Sequence, residues 1–479
     1  MKTPKLIPPL SLALLVLSSC ATNPATGARQ LMLVSEGQEI RMGREADPQI
    51  IAQFGLHPDS STAQYVRGLG ERLAAGSERP DLPWTFRVLD DPTVNAFALP
   101  GGFNYVTRGI MAHLNSEAEL AAVMGHEIGH VTARHSAQQL SKQQLAQVGL
   151  VAGVLLAPEL EDFAGLASAG LGLLFLKFSR DHERQADDLG LRYMTRAGYD
   201  PREMPRLYDM LGRVSAAAGG GRLPGWLSTH PDPADRRERI EQRVDSLSRT
   251  SGTTVNRREY LRRLDGMTYG VNPREGFFRE QAFLHPDLRF RLEFPRGWKT
   301  VNQKQAVLAQ SPREDAIMQL TLSDHPAPAS AARAFLAQEG VSGGPVRVGD
   351  VNGHQAASAG FRASTEQGVL RGLVTYVSYN GNLYQLLAFA RQEQWGAYRG
   401  AVEVSFNSFD RLTDRTALSV QPLRLEIVTL DQTMTLQQFA ARYPSRVPVE
   451  TLALLNGVEP GAMLAAGQLA KRVVGGPLP

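Results

Sequence analysis

The stretch Leu120-Ala121-Ala122-Val123-Met124-Gly125-His126-Glu127-Ile128-Gly129-His130-Val131 decides the fold and the chemistry of the first half of this chain. Its apolar residues are compatible with a helix, and His126 and His130 are four residues apart, so both imidazoles leave the same helix face. That spacing suits two corners of a tetrahedral zinc site, and Glu127 stands beside them, where it can deprotonate a zinc-activated water. The stretch therefore predicts a helix that carries part of a zinc site and its general base.

A third zinc ligand has to come from another segment. In one large class of zinc peptidases the same helix continues to a glycine and a third histidine. Here Ala133 and Ser136 occupy those two positions. His135 lies nearby, but it follows His130 by five residues, which turns it away from the ligand face of a continuing helix. The histidine motif alone therefore leaves the ligand set incomplete.

The segment Ser179–Gly190 is the best candidate to complete the site. Glu183 and Asp187 are four residues apart and share a helix face. A carboxylate on zinc, with a second carboxylate that accepts a hydrogen bond from a ligand histidine, is a common pairing. The alternative is that both acids belong to a solvated charged face. Small residues flank the two pairs and favour a close approach of two helices. They are Gly129, Ala133, Ala186 and Gly190.

Two further motifs complete a pattern that resembles peptidase family M48. Asn95–Val106, NAFALPGGFNYV, is similar to the strand segment that precedes the family's catalytic helix. Thr229–Arg236, THPDPADR, is similar to the family's H-P-x-x-x-x-R element. With the histidine and carboxylate pairs, these motifs follow the family's order across about 150 residues. The resemblance covers roughly residues 25–245 and implies a zinc metallopeptidase fold for them.

The resemblance also implies a role for each residue of the two helical motifs. His126, His130 and Glu183 would bind one Zn²⁺ per chain. Glu127 would be the general base of peptide hydrolysis and later the proton donor to the leaving amine. Asp187 would orient a ligand histidine.

The last motif contributes His230 and Arg236. By the resemblance, His230 would lie near the metal, where it stabilises the oxyanion or caps the zinc in a resting state. Arg236 would pair with a carboxylate or brace the site. The alternatives are that His230 ends a loop before Pro231 and that Arg236 is a surface residue.

The segment before the catalytic helix is expected to bind the substrate. By the resemblance it would be an edge strand to which an extended peptide adds through main-chain hydrogen bonds. Its residues are Gly101, Gly102, Phe103, Asn104 and Tyr105.

Residues 1–19 are predicted to be a lipoprotein signal peptide. Two lysines precede the apolar core Leu10–Leu17, which is too short to span a bilayer as a mature helix. Leu17-Ser18-Ser19-Cys20 resembles the bacterial lipobox, and Cys20 is the only cysteine of the chain. We therefore expect a lipid anchor on Cys20 and a periplasmic location, at the outer membrane because Ala21 follows the cysteine. The alternative is a secreted protein with an isolated cysteine.

The length of 479 residues predicts a multidomain protein with about three domains. Residues 20–245 are expected to form a mainly α, gluzincin-like zincin domain with a small edge-stranded sheet, and 246–274 a linker. Alternating apolar runs in 275–415 predict an α+β domain with an antiparallel sheet, in which Phe290–Trp298 faintly resembles PsbP-like domains. Val148–Phe178 is interrupted by charged residues and predicts a short helical hairpin that packs on the protease rather than dipping into a membrane.

Residues 424–475 are predicted to form a small βααβ module. The order of its elements, Asn456-Gly457 and the segment Leu464–Gln468 resemble LysM modules, which bind peptidoglycan. The usual G-D-T near the first turn is replaced by Asp431-Gln432-Thr433. The alternative is a module that contacts protein.

The charge balance gives no reason to expect nucleic acid, since the formal net charge is only +3 and falls by two on removal of residues 1–19. The predicted function is therefore a zinc-dependent endopeptidase that cleaves misfolded or misassembled envelope proteins. The alternative is a chaperone-like or peptidoglycan-tethered binding protein with a latent zinc site. Glu127 favours the enzyme, because a binding protein has no need of a general base.

Overall fold

The computed structural model describes residues 20–143, 173–176, 178–217, 226, 230, 233–247, 252–365 and 368–476. Its contacts divide the chain into two compact units. The first unit consists of the chain up to Gly270 together with Arg424–Val474, and the second consists of Val271–Leu423 with the last residues. The peptidase-like motifs and the segment predicted as a LysM-like module therefore belong to the same unit.

The first unit is mainly helical up to residue 270. Its helices begin at side chains that accept hydrogen bonds from the first turn, such as Ser35, Asp59, Ser116 and Ser179. A short hairpin, β1 (Cys20–Thr22) with β2 (Arg29–Leu31), precedes them. The helices are α1 (Glu36–Phe54), α2 (Ser60–Ala75), α3 (Arg108–His113), α4 (Glu117–Thr132), α5 (Arg180–Arg196), α6 (Glu203–Ala217), α7 (Pro233–Asp245) and α8 (Arg257–Arg263).

A three-stranded sheet lies beside these helices. It consists of β3 (Thr85–Leu89), β4 (Ala96–Leu99) and β5 (Phe103–Thr107), in the order β3-β5-β4. Strand β5 is parallel to β3 and antiparallel to β4, and all five of its residues are buried. A two-residue strand, β6 (Thr268–Tyr269), follows α8.

The predicted substrate-binding edge strand is wrong. Phe103, Asn104 and Tyr105 lie in β5, the central strand, whose main chain is paired on both sides. Gly101 and Gly102 form the turn between β4 and β5, with φ values of 82° and 102° that favour glycine. The sequence suggested an edge because nothing in it marks β3 as a parallel partner. In the described part of the sheet the outer strands are β3 and β4.

The second unit has helices and antiparallel sheets, as predicted. Its large sheet has the order β10-β11-β12-β17-β16-β15-β13, with β14 also paired to β15. One face of the sheet packs on α10 and the other on α9. The strands are β7 (Phe277–Arg279), β8 (Ala282–His285), β9 (Phe290–Glu293), β10 (Lys299–Asn302), β11 (Ala306–Gln310), β12 (Ala316–Ser323), β13 (Val341–Gly343), β14 (Arg347–Val351), β15 (His354–Thr365), β16 (Gly368–Tyr379), β17 (Asn382–Arg391) and β18 (Asp410–Arg411). The helices are α9 (Pro328–Leu336), α10 (Trp395–Asn407) and α11 (Arg415–Leu418).

The C-terminal segment returns to the first unit. Its elements are β19 (Leu423–Thr429), β20 (Met434–Thr435), α12 (Leu436–Arg442), α13 (Val449–Asn456), β21 (Met463–Leu464) and β22 (Leu469–Gly475). Strand β19 lies between β22 and β6, and β20 pairs with β21. The βααβ core is therefore present, with a small second strand pair inside it.

A buried lysine joins this segment to the helical part of the unit. The ammonium of Lys471 donates hydrogen bonds to the carbonyl oxygens of Ala112 (2.8 Å) and Leu114 (2.7 Å), and the residue is fully buried. Arg213 of α6 also donates to the carbonyl of Val458. The segment is thus anchored on the residues that lead into α4.

Among the described residues, no helix combines the length and the apolar character needed to cross a membrane. The predicted signal peptide lies outside the described residues, and so does most of the predicted hairpin within Val148–Phe178. The prediction of a linker over 246–274 is wrong for residues 257–270, which contain α8 and β6 and belong to the first unit.

Candidate metal centre

Helices α4 and α5 pack unusually closely, and this packing assembles the site. A Cβ atom on Gly190 would lie 2.8 Å from the backbone nitrogen of His126, and one on Gly129 would lie 2.9 Å from the carbonyl oxygen of Ala186. Any larger residue at these glycines would push the helices apart. The predicted close approach is therefore confirmed, and it brings Glu183 on α5 against the histidines of α4.

Four buried side chains direct donor atoms into one small volume. They are His126, His130, Glu183 and His230, whose ligand atoms all lie within 4.8 Å of one another. The Nε2 atoms of His126 and His130 are 3.0 Å apart. The carboxylate of Glu183 lies 3.6 Å from the first nitrogen and 3.5 Å from the second.

His230 takes part in this cluster through Nδ1. That atom lies 2.9 Å from Oε1 of Glu183 and 3.4 Å from Nε2 of His126. The Trp226 ring stacks on the His230 ring at 4.7 Å between centroids, which fixes the orientation of the imidazole. His230 is therefore the fourth member of the donor set.

The donor set fits a zinc ion. Bonds of about 2.0–2.2 Å in a tetrahedral site place the ligand atoms about 3.3–3.5 Å apart. The separations given above for five of the six pairs range from 2.9 to 3.6 Å, and all the ligand atoms lie within 4.8 Å of one another. Imidazole nitrogens with one carboxylate are ligands that zinc prefers. Three of these residues agree with the predicted ligands, and His230 adds a fourth.

Asp187 and Arg236 hold the ligands in place. Nδ1 of His126 lies 2.9 Å from Oδ1 of Asp187, so this carboxylate fixes the tautomer that presents Nε2 to the cluster. Arg236 bridges the two α5 carboxylates, with 2.6 Å to Asp187 and 2.9 Å to Glu183. Tyr208 donates a further hydrogen bond to Asp187. Arg236 is buried rather than on the surface, which excludes the alternative weighed from the sequence.

Glu127 lies beside the donor cluster, next to Trp226 and His230. The Trp226 indole donates to its Oε1 over 3.2 Å, and Nε2 of His230 lies 3.7 Å from the same oxygen. Burial raises the pKa of Glu127, while the nearby His230 opposes that rise. A carboxylate with a raised pKa is suited to take up and return a proton near neutral pH.

Burial also keeps the donor histidines neutral. It lowers the pKa of His126 and of His130, and it lowers the pKa of His230 to about 4. Neutral imidazole is the form that binds a metal ion. Burial alone would raise the pKa of Asp187, but the charge of Arg236 outweighs it and holds this pKa well below its usual range.

His135 belongs to the site although the sequence argument set it aside. Its Nδ1 lies 2.9 Å from Nδ1 of His130, and its Nε2 lies 2.8 Å from the Gln185 side-chain oxygen. In a continuing helix His135 would point away from His130. Helix α4 instead ends at Thr132, and Arg134 adopts φ 59°, so the chain turns and His135 comes to lie beside His130. A five-residue offset could have been recognised only by locating this helix end.

A buried set of imidazoles and carboxylates on two packed helices, with a second glutamate beside the first histidine, defines a metallopeptidase site. Residues 60–244 match the family model described as "Peptidase family M48". This part of the chain is therefore similar to peptidase family M48, and the site described above is of the metallopeptidase type.

Relatives with this domain are found in bacteria and in mitochondria. The chain is 33% identical over 237 residues to the "Beta-barrel assembly-enhancing protease" of Escherichia coli (strain K12), covering 47% of this chain and 48% of that protein. It is 37% identical over 229 residues to the "Mitochondrial metalloendopeptidase OMA1" of Schizosaccharomyces pombe (strain 972 / ATCC 24843), covering 46% and 65% respectively. The chain thus spans about half of the first relative and less than two thirds of the second.

Among solved structures, cyanobacterial PsbP (CyanoP) from Synechocystis sp. PCC 6803 aligns with 27% of this chain and 91% of its own. The TM-score is 0.24 and the identity 15%, so no function is inferred from this similarity.

Proposed function

We propose that this protein is a zinc-dependent endopeptidase of the bacterial cell envelope that cleaves misfolded or misassembled envelope proteins. The observation that carries the proposal is the buried cluster of His126, His130 and Glu183 with Glu127 beside it. When bound there, Zn²⁺ would lower the pKa of a water molecule and polarise the scissile carbonyl. The names of the bacterial relatives support the choice of envelope proteins as substrates.

The side chains around the cluster would transfer the proton, position the ligands and stabilise the oxyanion. Glu127 accepts a proton from the attacking water and passes it to the leaving amine. Asp187 and Arg236 keep His126 and Glu183 in their positions, so little reorganisation accompanies the reaction. When the His230 side chain leaves the donor cluster, it would remain next to Glu127 and would donate a hydrogen bond to the oxyanion.

The outer edge of β4 is the strand edge we propose for substrate binding. A narrow crevice next to it is lined by Ala98, Pro100 and Gly101 on one side and by His130 and Ala137 on the other. An extended peptide added to Ala96–Leu99 would pass beside His130. This assignment replaces the one based on β5.

The test is cleavage of casein by the chain from residue 21 on, beside Glu127→Gln, with zinc quantified in both. The glutamine keeps the size of the side chain but cannot accept the proton. We expect the wild type to cleave and the variant to bind zinc without cleaving. Equal cleavage by both proteins would refute the role of Glu127.

A second candidate, a resting or binding-only state, is favoured by the position of His230. With four protein donors, the cluster leaves no place for a water on a tetrahedral metal. If wild type and Glu127→Gln both hold about one zinc per chain and neither cleaves, His230→Ala decides. Gain of cleavage in His230→Ala identifies a gated enzyme. Because His230 is also proposed to donate a hydrogen bond to the oxyanion, His230→Gln, which keeps a donor, is tested beside it, and inactivity of both variants identifies a binding protein.

We further propose that Cys20 carries a lipid anchor that holds the protein at the periplasmic side of the outer membrane. Cys20→Ser would then move the protein from the membrane fraction to the soluble envelope fraction. Peptidoglycan binding by residues 424–475 is tested by sedimentation with purified sacculi, with and without that segment. The alternative, that this segment contacts protein, is supported by its hydrogen bonds to residues 112, 114 and 213.

A further inference from the structure

The second unit contains a cleft that the proposed peptidase function does not use. Its volume is about 530 Å³. Ser358 and Gly360 of β15 and Leu373 of β16 line it, together with Trp395 at the start of α10 and the segment 343–345. Further along the same sheet face, α10 covers Ala356 and Val377. The cleft is the part of this face that α10 leaves open.

Arginines from four different elements line this cleft. They are Arg347 of β14, Arg362 of β15, Arg371 of β16 and Arg399 of α10. Arg362 and Arg371 are directly opposite each other in the β15–β16 ladder. Like charges in such a pair destabilise a sheet, so this arrangement calls for a counter-charge.

The described residues do not provide that counter-charge. Glu403 is the one acidic residue among the described residues of the lining, and its Oε1 accepts a hydrogen bond from Nε of Arg399 at 2.7 Å. In the described ranges, no carboxylate lies within ion-pair distance of Arg347, Arg362 or Arg371. Three exposed arginines therefore line the cleft without an acidic partner among the described residues.

We propose that this cleft binds a small ligand with at least two negative charges on phosphate groups. Guanidinium groups bind phosphate oxygens in a bidentate manner, and a phosphate monoester carries about −1.5 to −2 charges. A single carboxylate would neutralise only one of the three arginines. The hydroxyl groups of Ser342 and Ser358 in the lining supply further donors for phosphate oxygens.

The size and the wall of the cleft suit a ligand of this kind. Its volume lies within the range of about 300–1,000 Å³ that is typical of small-molecule sites. Trp395, only 5% exposed, provides a rigid apolar wall for the uncharged part of the ligand. The phosphate groups can belong to a soluble metabolite or to a phosphorylated lipid headgroup, and the two sources are separated by experiment.

Titration calorimetry of the chain from residue 21 on with pyrophosphate tests the proposal. We expect saturable binding at one site, weakened at least 10-fold in Arg362→Ala/Arg371→Ala. The matched control is Arg296→Ala/Arg313→Ala, which removes the same charge from exposed arginines of the same unit outside the cleft. The control should bind as the wild type does.

A second variant blocks the cleft without changing its charge. A Cβ on Gly360 would meet only the carbonyl oxygen of Gly372, at 3.8 Å, so Gly360→Val is sterically tolerated and places its methyl groups in the cleft. We expect at least 10-fold weaker pyrophosphate binding with an unchanged circular dichroism spectrum. Normal binding by this variant would show that the ligand sits elsewhere.

Sedimentation with vesicles that contain phosphatidic acid, whose headgroup is a phosphate monoester, forms the second arm, and phosphatidylcholine vesicles are the comparison. Pyrophosphate binding alone indicates a soluble ligand, and binding to phosphatidic acid alone indicates a headgroup, provided that the Arg362/Arg371 variant abolishes it. The proposal is overturned if neither probe binds, if the variant binds like the control, or if citrate binds more tightly than pyrophosphate. None of these readouts depends on peptidase activity.

Discussion

Replacing Lys471 with methionine is expected to destabilise the first unit substantially. Methionine keeps an unbranched side chain but removes the donor that satisfies the carbonyl groups of Ala112 and Leu114. Each buried carbonyl left without a partner costs about 1–3 kcal/mol, which gives roughly 2–6 kcal/mol for the two. Burial lowers the pKa of Lys471 well below its usual value, so removing the amine also relieves a desolvation cost. We therefore expect a net loss of about 2–4 kcal/mol.

The assay is urea unfolding followed by hydrogen exchange of peptides from residues 108–132 and 424–474, which reports on the first unit alone. Arg258→Met is the matched control, because Arg258 also bridges the two parts of the unit, to the Gly467 carbonyl oxygen at 3.2 Å, but at an exposed position. We expect the control to lose less than about 1 kcal/mol. If Lys471→Met loses no more than the control, the account of the buried lysine is wrong.

Three further predictions concern single residues. His135→Ala should weaken zinc retention about 10–100-fold in competition with a chelator, because Nδ1 of His135 contacts Nδ1 of the ligand His130. Unchanged zinc retention would show that His135 contributes only to packing. Gly190→Val should unfold or empty the site, because its Cβ would lie 2.8 Å from the His126 nitrogen, and zinc content together with the melting temperature checks this. Burial lowers the pKa of His285 to about 4; the charge of Asp287 opposes this shift and that of Arg274 adds to it. Because the folded pKa lies below the unfolded value, the unfolded state takes up the proton first as the pH falls. The stability that the neutral His285 contributes is therefore present above about pH 6.5 and is lost as the pH falls towards 4. The melting temperature of His285→Gln should therefore fall less than that of the wild type over this range, and parallel curves would contradict the prediction.

The candidate metal ligands and the carboxylate that supports them were predictable because their chemistry requires a periodic spacing. Two histidines and two acids at four-residue spacing point to His126, His130, Glu183 and Asp187 before any fold is known. The proposed role of Glu127 followed from its place beside His126, whereas that of Arg236 followed from the family resemblance. This part of the prediction rested on local geometry, which a helix fixes within one turn.

Two predictions were wrong, the edge position of β5 and the exclusion of His135 from the site. In both, the position depends on strand pairing or on a turn that the local sequence pattern does not record. The placement of β5 depends on β3, which precedes it by about 14 residues and joins it in parallel, and no local pattern records this. His135 depends on the left-handed Arg134 directly after α4.

The return of residues 424–474 to the first unit has a consequence for the order in which the chain can fold. About 150 residues of the second unit separate the helical part of the first unit from the segment that carries Lys471. Until residues 424–474 are available, strand β6 and the carbonyl groups of Ala112 and Leu114 lack the partners that the structure gives them. The surroundings of α4 are therefore completed only by a segment that follows the second unit in the chain.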